Sequence, residues 1–217
     1  MKMDLQLNSL LEEEVKMDTY RMIYIDDTID PTLDSFLDQY KPKEADVDLE
    51  FSDVPFEPNE GYEFLLNSPG VREANIILID DCLFENPTVT NGKITGEEFK
   101  VVLRKYFPFI ETIVITQNKA DPETGTISKY NAQTSGYPSA LEYYRNTLPD
   151  IIEEAIQQIK FYRKLGKKLE DNSNWEPVLR EKIINSLQGL DEYHELTKDD
   201  IDMLIKAFKE IQVQLNE

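Results

Sequence analysis

Three short apolar runs constrain this chain more than any other feature. Met22-Ile23-Tyr24-Ile25 ends in Asp26-Asp27, Ile76-Ile77-Leu78-Ile79 ends in Asp80-Asp81, and Ile113-Val114-Ile115 ends in Thr116. Runs of this length without polar alternation suit strands buried on both faces, as in a parallel sheet with helices on each side. Helical patterns lie between them. Asp30 and Pro31 supply an N-cap and a first-turn proline for a helix reaching about Tyr40. Pro58 opens a second helix, carrying Tyr62, Leu65 and Leu66, and Ser68-Pro69-Gly70 breaks it. Thr95 with Glu98 three residues on makes a capping box for a third, with Phe99, Val102, Leu103 and Tyr106 on one face and Pro108 at its end. Val47, Leu49 and Phe51 alternate with Asp48 and Glu50, the pattern of an edge strand. Strand–helix alternation with short connections predicts a doubly wound α/β domain.

The flanks read differently. Leu7, Leu10, Leu11 and Val15 give residues 1–19 the spacing of an amphipathic helix or arm. From Leu141 onward the pattern is helical, through Ile151, Ile152, Ile156 and Ile159, with a break at Gly166 and the polar stretch Glu170 to Asn174. A helix follows from about Pro177 to Leu187, and Thr197 caps a last one carrying Ile201, Leu204, Ile205, Phe208 and Ile211. The expected division is an arm at 1–19, an α/β domain at 20–160 and a helical extension at 161–217. Lys160, Arg163, Lys164, Lys167 and Lys168 read as a solvated helix end.

Charge excludes several function classes. The 217 residues hold 23 basic and 43 acidic side chains, a net charge of −20. Such a surface repels phosphate backbones and anionic membranes, so no direct nucleic acid and no membrane partner is expected. Glu12, Glu13 and Glu14 interrupt the N-terminal apolar stretch, against a signal peptide, and a cytoplasmic location is expected. One cysteine, Cys82, and one histidine, His194, cannot make a disulfide framework or a Cys/His zinc site. Hard-cation chemistry on carboxylate oxygens stays open.

The acidic residues Asp26, Asp27 and Asp80 fall at the carboxyl ends of the predicted strands, where open α/β sheets bind ligands. Three carboxylates in one crevice repel one another, and a bound Mg2+ relieves that repulsion.

At these residues the chain resembles the receiver domains of response regulators. Ile23-Tyr24-Ile25-Asp26-Asp27 is similar to their first strand and acidic pair, and Ile77-Leu78-Ile79-Asp80 to the third strand with its phosphoacceptor aspartate. Ile113-Val114-Ile115-Thr116 is similar to the fourth strand, Ile127-Ser128-Lys129 to the fifth strand and its lysine, and Thr95-Gly96-Glu97-Glu98-Phe99 to the entry of the third helix. The resemblance covers about residues 20–160. It implies a flavodoxin-like fold of the receiver type, with a five-stranded, mainly parallel sheet followed by a helical C-terminal segment.

It also implies a function. Asp80 would accept a phosphoryl group from a histidine kinase or phosphotransfer protein. Asp26 or Asp27, Asp80 and the backbone carbonyl of Cys82 would hold Mg2+. Lys129 and the Thr116 hydroxyl would take phosphoryl oxygens. The helical tail would pass the state to a protein output partner, as a monomer or a homodimer, and the protein would not be an enzyme in the ordinary sense.

The chain departs from the pattern at several points. Tyr130 stands where a proline usually follows the lysine, Phe84 stands where a proline is common, and Gly125-Thr126-Ile127-Ser128 lacks the usual aromatic residue. Gln117 to Gly125 is shorter than the dozen or so residues a parallel crossover normally needs. The fourth helix would then be missing, and the fifth strand would be hairpin-like or reached by an abbreviated loop, with Lys119 the substitute for Lys129. The alternative functions are a pseudo-receiver scaffold that binds partners without phosphorylation, and a Mg2+-dependent phosphoesterase.

Overall fold

The computed structural model describes residues 17–56, 61–83, 95–118, 120, 125–171 and 177–188. Strands β1 (Asp18–Asp26), β2 (Val47–Pro55), β3 (Ile76–Asp80), β4 (Glu111–Thr116) and β5 (Ile127–Ser128) form one sheet in the order β2-β1-β3-β4-β5. Every neighbouring pair is parallel. This is the flavodoxin-like order, whose ligand crevice lies where the strand order reverses, between β1 and β3.

The apolar runs lack alternation because both faces are covered. Met22, Tyr24, Ile76, Leu78, Ile113 and Ile115 join a core with Leu33 and Phe36 of α1 (Pro31–Gln39) and Tyr144, Leu148 and Ile152 of α5 (Ala140–Glu170). Ile23, Ile25, Ile77, Ile79 and Val114 point the other way. They meet Leu65 of α2 (Tyr62–Asn67), Val71 of α3 (Pro69–Glu73) and Phe99 and Leu103 of α4 (Gly96–Tyr106). Successive strand residues thus serve alternate cores. Asp30 caps α1 by accepting from the Thr32 and Leu33 N–H groups, and Thr95 and Glu98 form the expected capping box of α4.

Several elements differ from the sequence reading. β1 begins at Asp18 rather than Met22, so residues expected in the N-terminal arm pair with β2. β2 is the edge strand expected but runs on to Pro55, a residue an edge tolerates. Pro58 lies outside the described residues; the helix starts at Tyr62, and Ser68 alone separates it from α3. β5 is not hairpin-like: Ile115 pairs with Ile127 and Thr116 with Ser128 in parallel. The described residues of its crossover contain no helix.

α5 continues through Gly166 and across residues 160 and 161 without a break. A Cβ at Gly166 would stand 3.4 Å from Leu187 Cδ1, so the glycine lets α6 (Pro177–Gln188) pack closely instead of ending the helix. Lys160 and Arg163 do not form a solvated end either. Lys160 pairs with Glu44 and Asp46, while Arg163 pairs with Asp18 and lies 4.1 Å from the centre of the Tyr20 ring. Both tie α5 to the amino-terminal end of β1 and the connection before β2. The arm before residue 17, Trp175, His194 and the helix expected after Thr197 lie outside the described residues.

Candidate functional site

The crevice is built from the carboxyl ends of β1, β3, β4 and β5. Asp26 closes β1 and is 1% exposed, and Asp80 closes β3 at 3%. Thr116 closes β4 and is buried, and Lys129, just after β5, is 9% exposed. Asp27 follows Asp26 on the exposed rim, and carboxylate oxygens of Asp26, Asp27 and Asp80 lie within 4.8 Å of one another.

Lys129 crosses to the centre of the sheet. Its Nζ stands 2.7 Å from Asp26 Oδ2 and 2.6 Å from Asp80 Oδ1. The structure therefore brings together Asp26, Asp27, Asp80, Thr116 and Lys129. Lys119, the substitute considered from sequence, lies outside the described residues. Backbone donors fix the carboxylates: Thr28 N–H reaches Asp26 Oδ1 at 3.0 Å, and Cys82 N–H reaches Asp80 Oδ2 at 2.9 Å. Cys82 thus sits in the turn directly after Asp80. The Lys129 N–H donates to the Thr116 carbonyl at 2.6 Å, and Thr116 Oγ1 accepts from the Asn118 N–H at 3.1 Å.

Asp81 takes a different task from its neighbour. Its carbonyl accepts from Gly96 N–H at 2.9 Å and its Oδ1 from Glu97 N–H at 3.2 Å, so it serves the first turn of α4. Gly96 is required there: a Cβ would lie 2.7 Å from both the Asp80 carbonyl oxygen and Asp81 Cα. The site and α4 are in backbone contact.

Electrostatics follow from crowding. Burial raises the Asp80 pKa, and the contacts with Lys129 only partly offset it. Burial raises Asp27 too, reinforced by the negative charge of Asp26. For Lys129, burial disfavours the ammonium, but its contacts with Asp26 and Asp80 outweigh that and raise its pKa. Three carboxylates face one ammonium, so negative charge is left over. Asp80 Oδ1 is buried and receives no aligned hydrogen bond; its contact with Lys129 is an ion pair alone. Carboxylate oxygens close together, one with an open acceptor, suit a hard cation such as Mg2+.

Two features escaped the sequence reading. The Tyr24 hydroxyl donates to Asp26 Oδ2 inside the core. Thr126, at the level where the resemblance expects an aromatic residue, is buried and donates its hydroxyl to Glu97 of α4.

Comparison with known proteins gives two distant structural likenesses and no match in sequence. No protein-family model matches the chain, and no curated protein matches it in sequence. Among solved structures it is similar to a two-component transcriptional regulator AraC from Clostridium phytofermentans ISDg. The two are 14% identical, the match covers 67% of this chain and 98% of that one, and the TM-score is 0.39. It is also similar to RcsB from Salmonella enterica serovar Typhimurium, solved bound to promoter P1flhDC in the presence of phosphomimetic BeF3-. That match has 14% identity, covers 81% of this chain and 95% of that one, and has a TM-score of 0.35. The flavodoxin-like fold rests on the strand order, with the crevice at the β1–β3 switch point.

Proposed function

We propose that the chain is a receiver-type signalling protein that accepts a phosphoryl group on Asp80 with Mg2+ and relays the change to a protein partner. The observation that carries this reading is the buried Lys129 ammonium seated between Asp26 and Asp80. A cation brought across two strands to two acids is more than a helix cap or a solvated turn would need.

Asp80 attacks the phosphorus of a phosphohistidine on a histidine kinase or phosphotransfer protein. The phosphorus–nitrogen bond breaks, the imidazole leaves with the electron pair, and an aspartyl phosphate forms. Asp26, Asp27, Asp80 and the Cys82 carbonyl hold the metal. Mg2+, when bound, neutralises charge on the phosphoryl oxygens. Lys129 exchanges a carboxylate partner for a phosphoryl oxygen. Thr116 Oγ1 already accepts from Asn118, which leaves its own O–H to donate to another phosphoryl oxygen. That donation draws the loop after β4 inward, together with Lys129, whose N–H is bonded to the Thr116 carbonyl.

The α/β domain, from β1 into α5, carries this chemistry, and the helical part beyond it the output, with the residues before β1 as an arm. The excess acidity argues for a protein rather than DNA as the output partner. No helix among the described residues is long and apolar enough to cross a membrane, and a cytoplasmic protein, not an enzyme in the ordinary sense, fits this reading.

Two observations favour a pseudo-receiver scaffold instead. The crossover before β5 holds no helix among its described residues, and Thr126 is engaged with Glu97. The two readings separate on one experiment. The protein is incubated with Mg2+ and a small acyl phosphate and weighed intact beside Asp80→Asn. The phosphoacceptor reading expects one added phosphoryl mass in the parent and none in the variant. No added mass in the parent, with no shift of Tm by Mg2+, rejects it in favour of the scaffold.

A further inference from the structure

Asp26 is held on nearly every side. Its Oδ2 accepts from both the Tyr24 hydroxyl and Lys129 Nζ, and its Oδ1 accepts from the Thr28 N–H at 3.0 Å. An ionised carboxylate offers about four lone-pair positions, two on each oxygen. Those of Oδ2 are filled and one on Oδ1 is left. The Tyr24 ring is 0% exposed, packed in the core shared by α1 and α5, so its hydroxyl has little freedom to turn elsewhere.

The two common hard cations make different demands on such a carboxylate. Mg2+ requires near-octahedral geometry and takes one oxygen from each of a few carboxylates, the rest being water. Ca2+ takes six to eight oxygens, often both from one carboxylate. A carboxylate with one oxygen sealed can serve the first well and the second poorly.

We propose that Tyr24 is a positioning residue that confines Asp26 to a single metal-facing oxygen and thereby sets the preference of the crevice for Mg2+ over Ca2+. The inference rests on the metal-binding reading above and deepens it. Tyr24 touches no metal; it acts through Asp26. Removing its hydroxyl frees one position on Oδ2, lets Asp26 present both oxygens, and loosens the carboxylate for the smaller ion.

The test is calorimetric titration of the full, metal-stripped chain with MgCl2 and with CaCl2, comparing the parent, Tyr24→Phe and Tyr144→Phe. Tyr144 is an equally buried tyrosine whose hydroxyl bonds Asp30 at 2.7 Å. It controls for the loss of a buried hydroxyl as such. The parent should bind Mg2+ more tightly than Ca2+. In Tyr24→Phe that preference should shrink about tenfold, the scale at which a partner of a metal ligand usually acts, and in Tyr144→Phe it should not change. An unchanged preference in a folded Tyr24→Phe, with Mg2+ still bound, overturns this inference and leaves the phosphoacceptor reading intact. Equal shifts in both variants overturn it as well. A parent that favours Ca2+ overturns it whether or not Tyr24→Phe folds. A parent that binds neither ion overturns both the inference and the metal site.

Discussion

The centre of the sheet and its β5 edge contribute to the same crevice but are built to different standards. At the centre, β1 runs beside β2 from Asp18↔Val47 to Asp26↔Pro55 and beside β3 from Met22↔Ile76 to Ile25↔Ile79, with cores on both faces. At the edge, β4 meets β5 at only two positions, Ile115↔Ile127 and Thr116↔Ser128. A cavity of about 600 Å3 opens there between α4 and α5, with Lys100, Arg104, Glu111, Ile127, Ile151 and Tyr162 among its walls. Asp26 and Asp80 belong to the firm half, Lys129 to the thin one. The acids are therefore fixed in advance, whereas the cation depends on its ion pairs, the bond to the Thr116 carbonyl, and the 2.8 Å bond from Tyr143 OH to the Ser128 carbonyl. On the proposed function, a change of charge at Asp80 would be answered first on the β5 side.

The largest effect expected is from Lys129→Met in the metal-free protein. It strands two buried carboxylates, and breaking a buried pair from one side costs about 3–5 kcal/mol. Urea unfolding in EDTA should show that loss, and saturating Mg2+ should recover part of it. A loss under about 1 kcal/mol would mean that solvent already relieves the acids, and the crevice would not be the closed site described. The second test compares the halves directly. Leu78→Ala, in β3, removes a fully buried side chain and should cost about 2–5 kcal/mol. Ile127→Ala, in the partly exposed β5, should cost about 1 kcal/mol, the ordinary scale of a substitution. Equal losses would erase the contrast.

Where the chain buries both faces, the sequence was readable. β1, β3 and β4 are apolar without alternation because each successive residue enters one core or the other, and their ends locate Asp26, Asp80 and Thr116. β5 had no such signal. Two residues with half-buried side chains carry no period, so only the resemblance pointed to it, and its parallel pairing had to come from the fold. Gly166 misled because glycine usually ends helices, whereas here it makes room for Leu187. Lys160 and Arg163 misled because their partners, Glu44, Asp46 and Asp18, lie more than a hundred residues away. Tyr24 was within reach. It stands two residues before Asp26, hence on the same face of the strand, and a buried tyrosine beside an aspartate needs a partner for its hydroxyl.

The smallest effect expected lies on the thin side, at Glu111. Burial raises its pKa; Arg104, a hydrogen bond with the Tyr162 side chain and Lys100 work against that, and Glu154 adds to it. An acid with a raised folded-state pKa favours folding while protonated, below its unfolded value of about 4.3. That advantage is lost as the pH climbs through the folded value. Glu111→Gln keeps the shape and removes the charge. It should leave stability unchanged near pH 4 and raise it near pH 7, by no more than about 0.5 kcal/mol because solvent and both cations screen the site. Thermal melts of parent and variant across that pH range provide the check. A variant less stable at pH 7 would mean that Arg104, Lys100 and the Tyr162 side chain depend on the Glu111 charge, so the acid would brace the cavity wall rather than strain it, and the β5 edge would be firmer than its two ladder positions imply.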